Sequence, residues 1–207
     1  MTTYIIMGVT MGLTAGLSPG PLLTLLISET IRQNRKAGIL VACAPLITDL
    51  PIVLISIFVL KSISDYHFIL GIISLLGALY LGYLAFENIK LKHFDPDIDV
   101  LKPKSLKKGI ITNFLNPNPY LFWMTIGAPT VLKGYRTNIF HSLCFVLGFY
   151  IFLVGSKIII ASLVDRSKAL IKSSLYVLLI KILGLILLVF SFIFIKESLI
   201  HFKLFEQ

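Results

Sequence analysis

Charged side chains are scarce in this sequence of 207 residues. They make up 14% of it, whereas soluble domains usually hold about 25%. Cysteine occurs only as Cys43 and Cys144, both inside apolar runs, so a disulfide scaffold is excluded. The pattern Gly-x-x-x-x-Gly-Lys-Ser/Thr is also missing, so the chain holds no P-loop to drive a pump with ATP. Apolar residues reach 57% and the mean hydropathy is +0.91, which excludes a soluble globular enzyme and a disordered chain.

The apolar residues are gathered into six runs. They span residues 3–28, 37–60, 68–86, 109–132, 138–164 and 173–195. Each run is long enough to cross a hydrocarbon core of about 30 Å as an α-helix. The polar stretch 87–108 between the third and fourth runs is too short to fold by itself. We therefore expect an all-α integral membrane protein, with six transmembrane helices in a single domain that lies in the lipid bilayer.

The net charge of +9 comes from lysine and arginine. In a soluble protein this charge would suggest a nucleic-acid partner. Here the basic residues lie mostly between the apolar runs, so we expect no nucleic acid. They concentrate in the first, third and fifth connections, above all in 87–108. Because basic loops stay in the cytoplasm, we expect these connections inside the cell and both termini outside the cell (inner) membrane.

A short pattern occurs twice, in residues 16–23 and 114–121. Pro117 and Pro119 stand 98 positions after Pro19 and Pro21, and leucines flank both pairs. Each pattern lies in the first of three consecutive runs, so the second set of three must enter the membrane from the opposite face. Such inverted repeats are typical of secondary carriers. We predict repeats at 1–86 and 109–195, a cytoplasmic linker at 87–108 and a short outside tail at 196–207.

The Pro-x-Pro pairs predict that the first and fourth helices are broken. Each proline removes a backbone N–H and clashes with the preceding turn, so carbonyl groups lose their partners there. In hydrocarbon this is tolerated only where protein or a water-filled cavity covers the break. Ser18, Pro19, Gly20 and Pro21 are therefore candidates for a substrate site. A simple kink that shapes packing is the alternative.

Three charged side chains fall inside the runs, namely Asp49, Lys157 and Lys181. Each costs about 2.5–3.5 kcal/mol at mid-bilayer. Asp49 lies near the centre of its run, between Pro45 and Pro51, and we expect it to pair with a lysine or a substrate ammonium, or else to carry a proton. The two lysines could neutralise Asp49 or hold an anionic group. Alternatively, they could stretch to the lipid headgroups.

Polar residues also stand beside the second Pro-x-Pro pair. Asn113, Asn116 and Pro117 lie near the start of the fourth run. The amides there either bond a neighbouring helix or contact a substrate. Phe122 and Trp123 follow shortly, and they either wall a cavity or pack among other aromatic rings.

A stripe of small residues lies in the third run, at Ser74, Ala78 and Gly82. Their spacing of four places them on one helix face, where small side chains let two helices approach closely. The stripe fits packing inside the monomer and a homodimer contact equally well.

Two other patterns suggest different chemistry. Ser18 stands in Gly-x-Ser-x-Gly, which in hydrolases presents a nucleophile, so an intramembrane serine hydrolase using Ser18 and Lys157 is a rival interpretation. Pro19 lacks the N–H that such a site needs, and we expect no enzyme and no catalytic residue. The aspartates in 95–99 imitate a calcium loop without its glycine and glutamate. The four histidines are scattered, so we expect no metal and no cofactor.

Three segments of the sequence resemble motifs of a known family. Gly-Leu-Ser-Pro-Gly-Pro ending at Pro21, Arg-x-x-Arg-Lys-Ala-Gly at 32–38 and Asn-Phe-Leu-Asn-Pro ending at Pro117 resemble the LysE/RhtB family of amino-acid exporters. The resemblance covers nearly the whole chain. It implies export of amino acids such as lysine, threonine or homoserine, or of a related metabolite, from a prokaryotic cytoplasm, coupled to a proton or ion gradient. The chain departs from the family pattern at 42–45, where glycines are usual, and at Asn118, where lysine is common, which indicates a divergent branch.

These features predict a small carrier with a central site between the two broken helices. The substrate carboxylate would meet backbone N–H groups at a break, and its ammonium would face Asp49. A carrier of another small solute or of an ion is the alternative. The residues predicted for the site or pathway are Ser18, Pro19, Gly20, Pro21, Asp49, Asn113, Asn116, Pro117, Lys157 and Lys181.

Overall fold

The computed structural model describes residues 1–62, 66–90, 104–168 and 173–202, and these are almost entirely helical. The helices are α1 (Thr2–Leu17), α2 (Pro21–Arg32), α3 (Arg35–Ala42), α4 (Ala44–Ser62), α5 (Tyr66–Ile89), α6 (Ser105–Phe114), α7 (Pro117–Phe122), α8 (Ala128–Thr137), α9 (Ile139–Lys168) and α10 (Ser173–His201). A wide π-helical turn, Trp123–Gly127, joins α7 to α8. No strand occurs in these ranges, so the all-α prediction is confirmed for them. The aspartates in 95–99 and the tail residues 203–207 lie outside the described residues.

Four helical stretches are long and apolar enough to cross a membrane, namely Arg35–Leu54, Phe68–Ile89, Ile139–Ser167 and Val177–His201. α1 and α2 meet at an angle of 61° and together make a fifth, bent candidate. The chain is thus built as an integral membrane protein. The predicted run 109–132 is not among the candidates, because it is divided over α6, α7, the π-helical turn and α8. Each piece is shorter than the roughly 20 residues of a straight crossing.

α1 packs tightly on α9 because glycines form the contact face. Gly8, Gly12 and Gly16 recur every four residues and are buried. A methyl group at Gly12 would lie 2.4 Å from the backbone oxygen of Phe149, and one at Gly8 would lie 2.4 Å from that of Phe145. Along this contact the residue numbers increase in the same direction in both helices, so α1 and α9 run parallel.

α5 and α10 form a second close pair and run antiparallel. Ser191 Oγ donates to Ala78 O at 2.7 Å, and Ser198 Oγ donates to Gly71 O at 2.9 Å. Ser74 and Ala78 of the predicted small-residue stripe are fully buried. The stripe therefore packs inside the chain, and it gives no support to a homodimer.

The shorter helices α2, α3 and α6 pack against these two pairs. α2 contacts α9 and α10, and α6 contacts α3 and α4. They share an apolar core that includes Leu22, Leu25 and Leu26 of α2 and Val41 of α3. This core holds the two interrupted segments, α1–α2 and α6–α7, side by side, so that their breaks can border one space.

Candidate functional site

A cavity of about 390 Å³ lies between the two helix breaks. Residues of α1 and α2 border it on one side and residues of α6, α7 and the π-helical turn on another. Residues of α4 and α9, with Phe190 of α10, complete the wall. Most residues predicted for the site line this cavity, namely Ser18, Pro19, Gly20, Pro21, Asp49, Asn113, Asn116 and Lys157. Pro117 is buried as the first residue of α7 and is next to Asn116 in sequence.

The break between α1 and α2 leaves backbone carbonyls without helical partners, and Lys157 bonds to two carbonyls there. In an unbroken helix, Ala15 O would accept a hydrogen bond from the N–H of residue 19, but that residue is a proline. Lys157 Nζ donates instead to Gly16 O at 2.9 Å and to Ala15 O at 3.4 Å. Its positive charge also suits the negative end of the α1 dipole. Lys157 thus caps the broken helix from α9.

The break between α6 and α7 is satisfied in a similar way by other groups. Asn116 precedes α7 and its Oδ1 accepts from Asn118 N at 3.0 Å, which caps the new helix. Because that N–H is used there, it does not bond to Phe114 O as it would in an unbroken helix. Tyr120 Oη donates to Phe114 O at 2.9 Å. Both breaks are therefore stabilised by side chains that supply the missing partners.

Asp49 projects from α4 into the cavity region and is 4% exposed. Its Oδ1 accepts from Asn113 Nδ2 at 3.1 Å. Its Oδ2 accepts from Tyr150 Oη at 3.2 Å and lies 3.4 Å from Trp123 Nε1. Asn113 Nδ2 is also within 2.6 Å of Thr48 Oγ1. Three neutral donors from three other segments therefore surround this carboxylate.

The expected pairing of Asp49 with a lysine is not found. No salt bridge to Asp49 occurs among the residues that the structure describes. Lys157 lines the same cavity but bonds to the carbonyls at the end of α1, because the broken helix offers it acceptors there. At 3% exposure its side chain stays inside the bundle and ends on these carbonyls instead of extending outward.

Aromatic rings form one wall of the cavity. Phe122 and Phe149 stack with ring centroids 5.0 Å apart, and Trp123 meets Phe149 edge to face at 5.7 Å. The indole fits because residue 127 is glycine, where a methyl group would lie 2.3 Å from Trp123 Cε3. The sequence offered two interpretations of Phe122 and Trp123, a cavity wall or packing among aromatic rings. The structure combines them, because both residues pack on other rings and also line the cavity.

The family model of the LysE type translocators matches residues 13–198. The chain belongs to the LysE type translocator family. No match was found among curated proteins or among solved structures. Membership makes the chain a membrane transport protein for small solutes such as amino acids, and it confirms the resemblance seen in the sequence.

The translocator does not place Ser18 in a hydrolase-like arrangement. Among the described contacts, Lys157 donates to backbone oxygens of α1 and to no hydroxyl group. Ser18 itself is exposed and lines the cavity beside the break. These contacts and the family's transport activity argue against the rival interpretation as a serine hydrolase.

Lys181 lies away from the cavity of the translocator. It is half-buried on α10, and its neighbour Ile180 packs against Ile31 of α2. α10 contributes a different residue, Phe190, to the cavity wall. The sequence analysis assigned the two lysines equivalent roles, but in the structure Lys157 lines the cavity and Lys181 does not.

A second polar cluster lies at the end of the bundle where α2 and α5 end and α6 begins. Lys108 Nζ bonds Glu29 Oε1 at 3.0 Å and Glu87 Oε1 at 2.8 Å. Arg32 Nη1 bonds Glu87 Oε1 at 2.8 Å. Ser105 Oγ donates to Glu29 Oε2 at 2.5 Å. We call Glu29, Arg32, Glu87 and Lys108 the charge network.

The charge network was not predicted from the sequence. Glu29 directly follows the first apolar run, and the other acid and the lysine fell in the stretch taken as a polar linker. The side chain of Glu29 is only 1% exposed, and a hydropathy pattern does not indicate that an acid at such a position is buried. The ammonium of Lys108 lies between the carboxylates of Glu29 and Glu87, and this attraction offsets the cost of burying it.

Proposed function

We propose that this translocator exports amino acids, or closely related small metabolites, from the cytoplasm by binding them in the cavity between the two helix breaks. The observation that carries the proposal is the position of Asp49, a buried acid that lines this cavity and is bonded by neutral groups. The volume of about 390 Å³ falls in the range of small-molecule sites. Lys157 and the amino terminus of α2 add the opposite sign of charge to the same wall.

The amino terminus of α2 is the best binding place for the substrate carboxylate. Gly20 precedes α2 without a side-chain cap, and Leu22 and Leu23 of the first turn line the cavity. The first N–H groups of a helix have no partner within it, and together with the helix dipole they favour an anion. At the second break, by contrast, Asn116 already occupies the N–H of Asn118.

The substrate ammonium then faces Asp49. The three neutral donors stabilise the carboxylate without cancelling its charge, so the carboxylate can still attract a cation. An ammonium group and a proton would compete for the same oxygens. This competition provides the coupling: a proton bound from outside displaces the amino acid, and an amino acid bound from the cytoplasm displaces the proton.

The packing supports six spans arranged as two inverted repeats. In this arrangement the spans are α1–α2, α3–α4, α5, α6–α8, α9 and α10. The first span packs on the fifth, the fourth on the second, and the third on the sixth. A two-fold axis that exchanges the repeats swaps the first span with the fourth, the second with the fifth and the third with the sixth. It therefore converts the contact between spans one and five into the contact between spans four and two, and it leaves the contact between spans three and six unchanged. Alternating access would follow when one repeat rocks against the other around the cavity, with both termini outside the cell membrane.

Transport by purified protein in liposomes tests the proposal. A panel of neutral, basic and acidic amino acids is loaded on the cytoplasmic side, and efflux is measured with an imposed proton gradient and after its collapse by an uncoupler. We expect at least one amino acid to leave faster with the gradient. Replacing Asp49→Asn removes a charged hydrogen-bond partner worth about 1.5–3 kcal/mol, so gradient-driven efflux should fall about ten- to hundred-fold.

Glu197→Gln is the matched control, because it makes the same carboxylate-to-amide change on α10, at a residue that does not line the cavity. It should transport like the parent protein. Unchanged efflux and an unchanged pH profile in Asp49→Asn would remove Asp49 from the mechanism. No movement of any amino acid by the parent protein would reject the proposed substrate class.

A further inference from the structure

The charge network lies on one side of the cavity and is separated from it by an apolar layer. Glu29 comes eight residues after Pro21, which at 1.5 Å per helical residue places it about 12 Å beyond the first break. Lys108 comes five residues before Asn113, about 7.5 Å along α6. The buried leucines of α2 and Val41 of α3 fill the space between. The network therefore closes the end of the bundle beyond this layer.

The network joins helices from both halves of the chain. Glu29 and Arg32 are on α2 and Glu87 is on α5, whereas Lys108 is on α6 of the second half. Lys108 makes the ionic link between the halves, since it bonds both glutamates. Separating α6 from α2 and α5 requires both of these bonds to break.

The positions that the repeat relates to the charge network do not carry a second network. A shift of 98 positions relates the two proline pairs, and the same shift relates each residue of the network to a position in the other half. The residues at those positions are uncharged: Gly127, Thr130, Leu185 and Thr10. If the two halves are inverted repeats, the ionic closure is not repeated at the related positions of the other half.

We infer that the charge network is the gate on the cytoplasmic side of the cavity, and that Glu29 and Lys108 are positioning residues that hold α6 against α2 and α5 while this gate is closed. The inference rests on the proposed function and on its orientation, in which the basic connections face the cytoplasm. For a solute to enter from the cytoplasm, Lys108 must leave both glutamates.

The partial exposure of the network allows it to open. The side chains of Arg32, Lys108 and Glu87 are 11%, 16% and 27% exposed, so water reaches their edges and can hydrate them when they separate. Glu29, at 1%, gains water only when the gate opens. The closed network is therefore favoured, but its separation does not leave four unhydrated charges in an apolar environment.

Thiol labelling from each side of the membrane tests this gate. The reporter is Asn118→Cys, an exposed residue that lines the cavity, in protein whose two native cysteines are replaced by alanine. A membrane-impermeant thiol reagent is added to right-side-out or inside-out vesicles. In the parent reporter we expect labelling mainly from outside. Lys108→Met should raise the labelling rate from the cytoplasmic side about ten-fold, because it breaks a buried pair.

Two variants separate gating from general damage. Lys108→Arg keeps the charge and the donors and should label like the parent reporter. Lys36→Met removes a charge from an exposed residue near the same end and should also leave the rate unchanged. Glu87→Gln keeps the bond between Lys108 and Glu29, so it should raise the rate by a smaller factor than Lys108→Met.

The inference is overturned if Lys108→Met and Glu29→Gln label from the cytoplasmic side at the parental rate. It is also overturned if neither Lys108→Met nor Glu87→Gln inserts into the membrane while Lys36→Met does, because the network would then serve folding alone. Labelling requires no transported solute. A faster cytoplasmic reaction without transport of any amino acid would uphold the gate and reject the proposed substrate.

Discussion

Replacing Lys157 with methionine probes how the broken first helix is stabilised. The change keeps an unbranched side chain that is one atom shorter and removes the donor that Gly16 O and Ala15 O share. A buried carbonyl without a partner costs about 1–3 kcal/mol, so two would cost about 2–6 kcal/mol. Removing the buried ammonium returns part of its own desolvation cost. We therefore expect a net loss of about 1–3 kcal/mol in the free energy of unfolding.

Thermal unfolding of the purified protein in detergent measures this loss. In chains of this size each kcal/mol shifts the Tm by about 2–4 °C, so the Tm of Lys157→Met should fall by about 2–12 °C. Lys181→Met is the control, because it makes the same change at a half-buried position of α10; its effect should stay within about 0.5 kcal/mol. If both variants unfold at the parental temperature, or if Lys181→Met is the less stable of the two, the cap assigned to Lys157 is wrong.

Two further variants test the packing of α1 and the second break. Gly12→Ala should lose about 1–3 kcal/mol of stability in the same assay, because its methyl group meets the backbone of Phe149. Gly155→Ala, whose methyl group would meet nothing within 4 Å, should not, and equal behaviour of the two would refute the close packing. Asn116→Ala should cost about 1 kcal/mol through loss of the α7 cap. Asn116→Ser keeps a cap and should recover that stability, so recovery of stability without recovery of transport would identify the amide as a substrate contact.

The sequence predicted those features that depend on local chemistry. The chain breaks between α1 and α2 because Pro19 and Pro21 have no N–H for the preceding turn. Asp49 is buried because it stands in the middle of an apolar run. Both conclusions need only the residues of one segment. For the same reason the ten predicted positions fell mostly around one cavity, since the two proline patterns occupy equivalent places in their runs.

The partners of these groups could not be predicted, because they come from distant helices. Tyr150 and Trp123 stand 101 and 74 positions after Asp49, and Lys157 stands 141 positions after Gly16. Hydropathy shows that a helix lies in the membrane, but not which face it turns to a neighbour. Glu29 was missed for a related reason. It directly follows an apolar run, where an acid usually meets water, and its partners Ser105 and Lys108 come from α6.

Trp123 gives the molecule an internal optical reporter. It is the only tryptophan in the sequence, it is 2% exposed, and its indole nitrogen lies 3.4 Å from the carboxylate of Asp49. Indole emission responds to the charge and water next to the ring. All the ultraviolet fluorescence of tryptophan in this chain therefore originates at the cavity wall. Titrating unlabelled protein with a solute, or with acid, can thus be followed as a change in the colour or intensity of that light.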